Sequence, residues 1–383
     1  MIKKHLFLVS VLSLFVYCGS KQEITERIIF MEEGVEVVIN HVKPFKIEGE
    51  VATFSLEEEF RINTERDEIA EIGLTDISHF DVDSERNIYL WPGPQSQKAI
   101  YKFDGDGKFE ISFGDKGQGP GEIKFTSGFI VNHKDELIIT DYGNKKYLNF
   151  DKNGNLIKEI RTDTNILTVF PLENGNHLIV KRFADPEADY IYQHVLILCD
   201  SEFEEITELD RQKIPNFLKT KRRTLAPYIF YYNISAGKIF TGNAVRGYEI
   251  WVYDFDGHMT RKVKKEFIRA DVKEYIKEIR QPQHSEKYEL PRHLPPFQTF
   301  SSDNEGRLLV ITYEKAKNKG EYLIDIFNRN GVFVGRTSMK FLLARYEAQP
   351  MLTHFKVKGG RLYCLTEKVQ GGKELVVHRI EWE

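Results

Sequence analysis

Cysteine, methionine and long apolar runs are all scarce in this chain, and each scarcity narrows what it can be. Three cysteines stand in 383 residues, at positions 18, 199 and 364. None forms a C-x-x-C pair, so neither a disulfide-rich scaffold nor a thiolate zinc site is written here. Cys199 ("HVLILCD") and Cys364 ("RLYCLTE") lie inside apolar runs and read as two buried strand thiols. A disulfide between them in an oxidising compartment is the competing reading. An excess of one charge is also missing: 54 Lys and Arg face 58 Asp and Glu, for a net charge of −4. A nucleic-acid binder would be strongly basic, so that class is set aside. Against only 5 Met there are 27 Phe and 18 Tyr. With many Ile and Val residues, that balance favours β structure over helix.

The one extended apolar run opens the chain. "MIKKHLFLVSVLSLFVYCGS" has Lys3 and Lys4, an apolar stretch from Leu6 to Tyr17, then Cys18-Gly19-Ser20. A charged start and a short apolar core make an export signal, too short to span a bilayer comfortably. Ending on Cys-Gly-Ser, it resembles a bacterial lipoprotein signal, which implies that residues 1–18 are the signal and that Cys18 is lipidated. The competing reading is an ordinary cleaved signal with an incidental cysteine. Either way the chain is expected to leave the cytoplasm, and the lipoprotein reading places it in the cell envelope.

The rest of the chain repeats. A polar turn followed by an alternating strand recurs as "SERNIYLW", "HKDELIIT", "ENGNHLIV", "SAGKIFTG", "NEGRLLVI" and "KGGRLYCL". Between these phrases runs a second one, an alternating strand entering a turn: "AIYKFDGDGKF", "KYLNFDKNGNL", "VLILCDSEFEE", "EIWVYDFDGHM" and "YLIDIFNRNGVF". The period is roughly 45–55 residues, and each unit reads as four short strands, the signature of a β-propeller. Six units are predicted over residues 51–383. The final unit lacks a fourth strand, and "VATFSLEEEF" (51–60) is expected to supply it, closing the ring and removing exposed edges. Residues 19–50 are left as a linker or an extra strand, because 28–46 alternate before the ring begins.

The stretch 113–156, "FGDKGQGPGEIKFTSGFIVNHKDELIITDYGNKKYLNFDKNGNL", resembles an NHL-type repeat unit, with its Gly-rich connector, Asp141, Asn144, Lys145 and Phe-Asp-x-x-Gly turn. Taken with "VEVVINHVKP" and "FDGDGKFEISFGDKGQGPGE", the chain is similar to bacterial lipoproteins of the six-bladed NHL/TolB-like propeller class. That resemblance implies the fold and the envelope address more than an activity.

Candidate chemistry is thin. Gly114, Gly117, Gly119 and Gly121 invite a phosphate-loop reading, but such a loop opens a helix with Gly-Lys-Ser/Thr. Here Pro120 removes an N–H and another β unit follows, so a connector is expected. "FDGDGK" and "FDKNGN" lack the further oxygen ligands of an EF-hand loop and sit where a hairpin turn is required. Asp141 and Asn144 are expected to satisfy backbone groups of their own loop. His79 and His354 fall in inner strands and are the candidates for a channel-facing role. Asp83, Asn132 and Asp303 fall in turns after inner strands. No metal and no cofactor is predicted.

Two insertions break the repeat. Counting the blade shared by the two chain ends as the first, "DRQKIPNFLKTKRRTLAPY" (210–228) lies between blades four and five. "RADVKEYIKEIRQPQHSEKYELPRHLPPF" (269–297) lies between five and six, with Val272, Tyr275, Ile276 and Ile279 at helical spacing. Together they would form an anion-attracting rim of Lys221, Arg222, Arg223, Arg280 and Arg292, with Tyr228, Tyr275 and Tyr288 as contacts. A solvated loop and a capping helix are the plainer alternative. The expected function is binding of a protein, peptide or glycan partner in the envelope, with membrane attachment through the lipid anchor. The alternative is a metal-dependent hydrolase or lyase with its site in the central channel, which enzymes on similar rings suggest. A component of an envelope complex is a third reading.

Overall fold

Alternating strands joined by tight turns bury both faces of each hairpin against its neighbours, and six antiparallel units result. The computed structural model describes residues 28–93, 96–162, 165–184, 190–215, 223–224, 230–274, 288–289, 292–318, 320–340, 355–367 and 373–383. Blade two comprises His79–Val82, Ile88–Trp91, Lys98–Phe103 and Phe109–Asp115, running from the inner to the outer strand. Blade three follows with Thr126–Val131, Leu137–Asp141, Lys146–Phe150 and Leu156–Arg161. Blade four has Ile166–Pro171, His177–Ala184, Tyr190–Cys199 and Glu205–Pro215. Blade five has Phe230–Ser235, Lys238–Asn243, Glu249–Tyr253 and Met259–Lys265, and blade six Phe297–Ser302, Leu308–Lys315, Glu321–Phe327 and Phe333–Lys340.

Blade one takes three strands from the C-terminus, Phe355–Lys358, Arg361–Glu367 and Lys373–Trp382. Its outer strand comes from the N-terminal side, as expected, at Phe54–Asn63. That strand lies antiparallel to the last one, with Ile62 opposite Leu375 and Phe54 opposite Trp382. The closing strand begins three residues later than the sequence pattern placed it.

The N-terminal segment resolves to an extra hairpin. β1 (Ile28–Glu32) and β2 (Val35–Asn40) turn at Glu33 and Gly34, both at positive φ, and β2 pairs parallel with Met259–Lys265. Blade five therefore has six strands. Asn40 locks the hairpin to blade six: its Nδ2 donates to the Gly331 carbonyl at 3.0 Å, and its Oδ1 accepts from the Phe333 N–H at 2.8 Å. A short helix, α1 (Asp67–Glu71), which the repeat pattern did not announce, links blades one and two.

Period-two alternation sends successive residues of one strand to opposite neighbours. In the second strand of blade two, Ile88 and Leu90 join the core shared with Tyr363, Leu375 and Val377 of blade one. Tyr89 and Trp91 join the core shared with Phe129, Leu137 and Phe150 of blade three. Each fully buried side chain of this size contributes about 1.5–3 kcal/mol. The inter-blade layers are thus the true core of the protein.

The repeated Asp/Asn turns are built by one device. Asp104, Asp151, Asp200, Asp254 and Asn328 each accept, through Oδ1, the backbone N–H groups two and four residues ahead, at 2.8–3.1 Å. These oxygens close turns, which is the structural role expected of "FDGDGK" and "FDKNGN". The residue three after the Asp or Asn must take positive φ, and Gly fills it in four of the five blades. At Gly154 a Cβ would also meet Phe113 of the preceding blade at 2.7 Å. Blade four carries Phe203 there instead, at φ 67°.

Candidate functional site

The glycine-rich connector 114–125 threads from blade two to blade three, and its N–H groups already hold anions belonging to the protein. The Gly119 N–H donates to Glu122 Oε2 at 2.8 Å and the Gly121 N–H to Glu159 Oε2 at 3.0 Å. Lys146 donates to the Gly119 carbonyl and to Glu159. Asp141 accepts from the N–H groups of Lys124, Phe125, Gly143 and Asn144, and Asn144 Nδ2 donates to Asp141 and to the Gly117 carbonyl. A phosphate would have to displace two carboxylates, so the loop is architecture, and Asp141 with Asn144 is what fixes its shape.

What this fixed loop creates is a shallow, open cleft between blades two and three. Trp91, Gln97, Ala99, Ile123 and Phe125 line it, and Lys98, Lys116 and Lys124 bring positive charge to it. Lys98 is paired with Asp115 at 2.6 Å. Beside the cleft, Phe125 stacks on Tyr142 with ring centroids 6.3 Å apart and planes within 17°. Both rings stand open to solvent, Phe125 at 45% and Tyr142 at 37% exposure. Gly143, where a Cβ would strike Phe125 at 2.8 Å, lets the two loops approach this closely. The sequence reading missed this site. The visible signal was an aromatic at each end of the first hairpin of blade three, Phe125 and Tyr142, which composition alone does not distinguish from core.

The central channel tells a different story. His79 is buried, and its Nε2–H donates to the Phe129 carbonyl of the next inner strand at 2.6 Å. It packs edge-on against the Phe129 ring. Burial pulls its pKa down to about 4, against the opposing pull of that carbonyl and of Asp81. A histidine so placed joins two blades through its Nε2. Its partner candidate, His354, lies outside the described residues.

Asp81, two residues on, ties three inner strands together. Its Oδ2 accepts from the Val131 N–H of blade three at 2.8 Å, and its Oδ1 meets Lys356 of blade one. Lys358 donates to the Val82 carbonyl at 2.8 Å. Burial opposes ionisation of Asp81, but the two lysines and the Val131 N–H outweigh it and hold its pKa below the usual value. Asp83, Asn132 and Asp303 close their turns on backbone N–H groups, as their positions implied.

His79 gives a pH test. The folded state holds the ring neutral to about pH 4, whereas the unfolded chain takes up the proton near 6.5. Stability present above pH 6.5 is therefore lost as pH falls towards 4, by about 3 kcal/mol from this residue. Denaturant unfolding at a series of pH values should show a shallower loss in His79→Gln than in the parent. Parallel curves would refute the assignment.

The two insertions meet. Arg223–Thr224 and Tyr288–Glu289 form a two-stranded parallel pair, joining the basic segment to the second insertion through the backbone. The root of the first is pinned by Arg246, whose guanidinium grips Asp210 in a two-pronged pair at 2.7 and 2.8 Å and lies over the Trp251 ring. Arg292 is exposed, and its carbonyl accepts the Val272 N–H. Lys221, Arg222, Tyr228, Tyr275 and Arg280 fall outside the described residues. So does most of the expected helix, of which Val272–Glu274 is a single 3₁₀ turn.

Among the described residues, Asp254, Asp256 and His258 are the group whose ligand atoms come close enough to hold a metal. They occupy an outer hairpin turn of blade five, away from the channel, and Asp254 is engaged by the turn's own N–H groups. Cys199 and Cys364 are buried free thiols in separate blades. Burial raises their pKa values to about 11 and about 12. The thiol reading of the sequence holds, and neither is a nucleophile in waiting.

Comparison with solved structures places the architecture among known rings. A member of the DUF4221 family from Bacteroides vulgatus aligns over 88% of this chain and 98% of its own, at 13% identity and a TM-score of 0.50. A gluconolactonase from Xanthomonas campestris aligns over 89% and 99%, at 12% identity and a TM-score of 0.45. A virginiamycin B lyase from Staphylococcus aureus aligns over 85% and 99%, at 11% identity and a TM-score of 0.43. Likeness at such identity speaks for fold alone. No curated protein matches the sequence. The family model described as a 6-bladed β-propeller, DUF5128, matches residues 88–329, more than half of the chain. With the strand order, the shared first blade and this match in hand, the chain belongs to the DUF5128 family of six-bladed β-propellers.

Proposed function

We propose that this propeller is an exported, lipid-anchored binding module that presents its inter-blade connectors to a protein, peptide or glycan ligand of the cell envelope. The observation that carries this reading is the exposed Phe125–Tyr142 stack beside the cleft between blades two and three. Flat aromatic faces held rigidly in water are recognition surfaces, because they offer apolar contact at little entropic cost. The amide of Gln97 and the lysines around the cleft supply the polar half of such recognition. By contrast, the inner-strand groups described so far are spent on each other: His79 on Phe129, and Asp81 on Lys356 and Val131. That arrangement suits a rigid ring that displays loops.

The test is a photoreactive benzophenone side chain placed at position 125, at position 222 in the first insertion, or at exposed Ile206 of blade four as a control. Irradiated cells should yield a discrete adduct from position 125 and none from 206. Phe125→Ala with Tyr142→Ala should then weaken binding of the purified ligand at least tenfold. An adduct from 222 with silence at 125 would move the site to the insertion rim, where Arg222→Glu with Arg223→Glu should weaken capture most at low salt. No adduct at either position would overturn the binding reading.

A further inference from the structure

We propose that β1 is a membrane-contacting strand, lying in the interface of the bilayer to which Cys18 is anchored. Ile28, Ile29, Phe30 and Met31 are consecutive and all exposed, at 47, 39, 42 and 64%. Both faces of the strand are therefore apolar, since Ile28 and Phe30 point one way and Ile29 and Met31 the other. β1 is also the outer edge of the six-stranded sheet of blade five. Edge strands in water are normally guarded by lysine, proline or a bulge, because a bare apolar edge recruits other chains. None of these guards is present within β1; its charge, Glu32, sits at the turn end, paired with Lys262.

What covers the strand follows from where it sits in the chain. Nine residues lie between Cys18 and Ile28, so the strand lies within about 35 Å of the anchor even at full extension. This inference rests on the lipid-anchor reading above. An apolar segment tethered so near a bilayer is at high effective concentration over it, so a weak interfacial preference of the strand is enough to seat it there. The hairpin is rigid enough to act as that contact: Val37 and Val38 of β2 are buried, Asn40 is locked to blade six, and Arg261 pairs with Glu36. The ring would stand edge-on, with the outer margin of blade five towards the lipid and the connector face free at the side.

The chain from position 18 onward, carrying Cys18→Ser, should bind vesicles of phosphatidylethanolamine and phosphatidylglycerol in co-sedimentation. Ile29→Glu with Met31→Glu, and separately Ile28→Ser with Phe30→Ser, should each lower that partitioning at least tenfold, and circular dichroism should show both variants folded. Absence of vesicle binding by the parent strand, or equal binding by the folded variants, overturns the proposal. A concentration-dependent dimer that the same substitutions dissolve, without vesicle binding, assigns β1 to a second copy and overturns it as well. Mass spectrometry of the membrane-extracted native chain reads acylation of Cys18 independently. An unmodified Cys18 there would refute the anchor and leave the vesicle result standing by itself.

Discussion

Asp325→Ala is expected to destabilise the protein by about 3–5 kcal/mol, the range for stripping one partner from a buried ion pair. Asp325 and Lys265 are fully buried and lie 3.3 Å apart, bridging blades six and five. The same carboxylate accepts the Tyr248 hydroxyl at 2.7 Å and the Arg336 Nε–H at 2.5 Å, while Arg336 also grips Glu314 with both terminal nitrogens. Two cations and two carboxylates balance, and removing Asp325 leaves an excess positive charge with no water to solvate it. Thermal unfolding followed by circular dichroism should show a fall of roughly 4–6 °C in Tm. Burial already lowers the pKa of Lys265, with Asp325 opposing that shift. Without Asp325 the lysine should lose its proton more readily. The unfolded chain then binds more protons, so the deficit should shrink as pH rises towards the ordinary lysine value. A pH-independent deficit, or one below 1 kcal/mol, would show that the network is not carrying the junction.

Gly335→Ala is expected to open the ring closure, at about 3 kcal/mol. A Cβ on Gly335 would fall 1.5 Å from the Ala52 carbonyl oxygen, an overlap that only backbone movement relieves. Residues 45–53 run along blade six towards the closing strand, tied by the Phe45 N–H to the Phe333 carbonyl at 2.8 Å. They then meet the C-terminus, where Ala52 and Thr53 donate to the Glu383 carbonyl and the Glu383 N–H returns to Thr53. Displacing Ala52 strains all of these. Hydrogen exchange should show Phe54–Asn63 and Lys373–Trp382 losing protection while blades three and four keep theirs. Uniform loss, or none, would contradict a closure held at this point.

The ring was legible because its signals are local. An Asp or Asn that caps a turn and the glycine three residues later stand close together in sequence, as in Asp151 and Gly154, and the pair recurs in four of the six blades. Strand alternation is equally local, and it marks both closing partners, Phe54–Asn63 and Lys373–Trp382. The rim in the insertions was argued from charge and helical spacing, and the described residues add one fact to it, that the two insertions pair at Arg223 and Tyr288. His79 is in an inner strand as predicted, and only the placement of Phe129, fifty residues on, shows that its Nε2 is spent on a carbonyl of the next blade.

By itself the sequence determined the number of blades, the turn chemistry and the buried thiols, since each is written within single hairpins, and the shared first blade, since the last unit lacks a strand that 51–60 has to spare. Only the tertiary structure decided that the glycine connector grips Glu122 and Glu159 in place of a phosphate, that Phe125 and Tyr142 stack in the open, and that the N-terminal hairpin extends blade five with its apolar edge bare. Those outcomes depend on contacts between blades, where the partner of a residue is set by the closing of the whole ring and leaves no mark in the residues beside it.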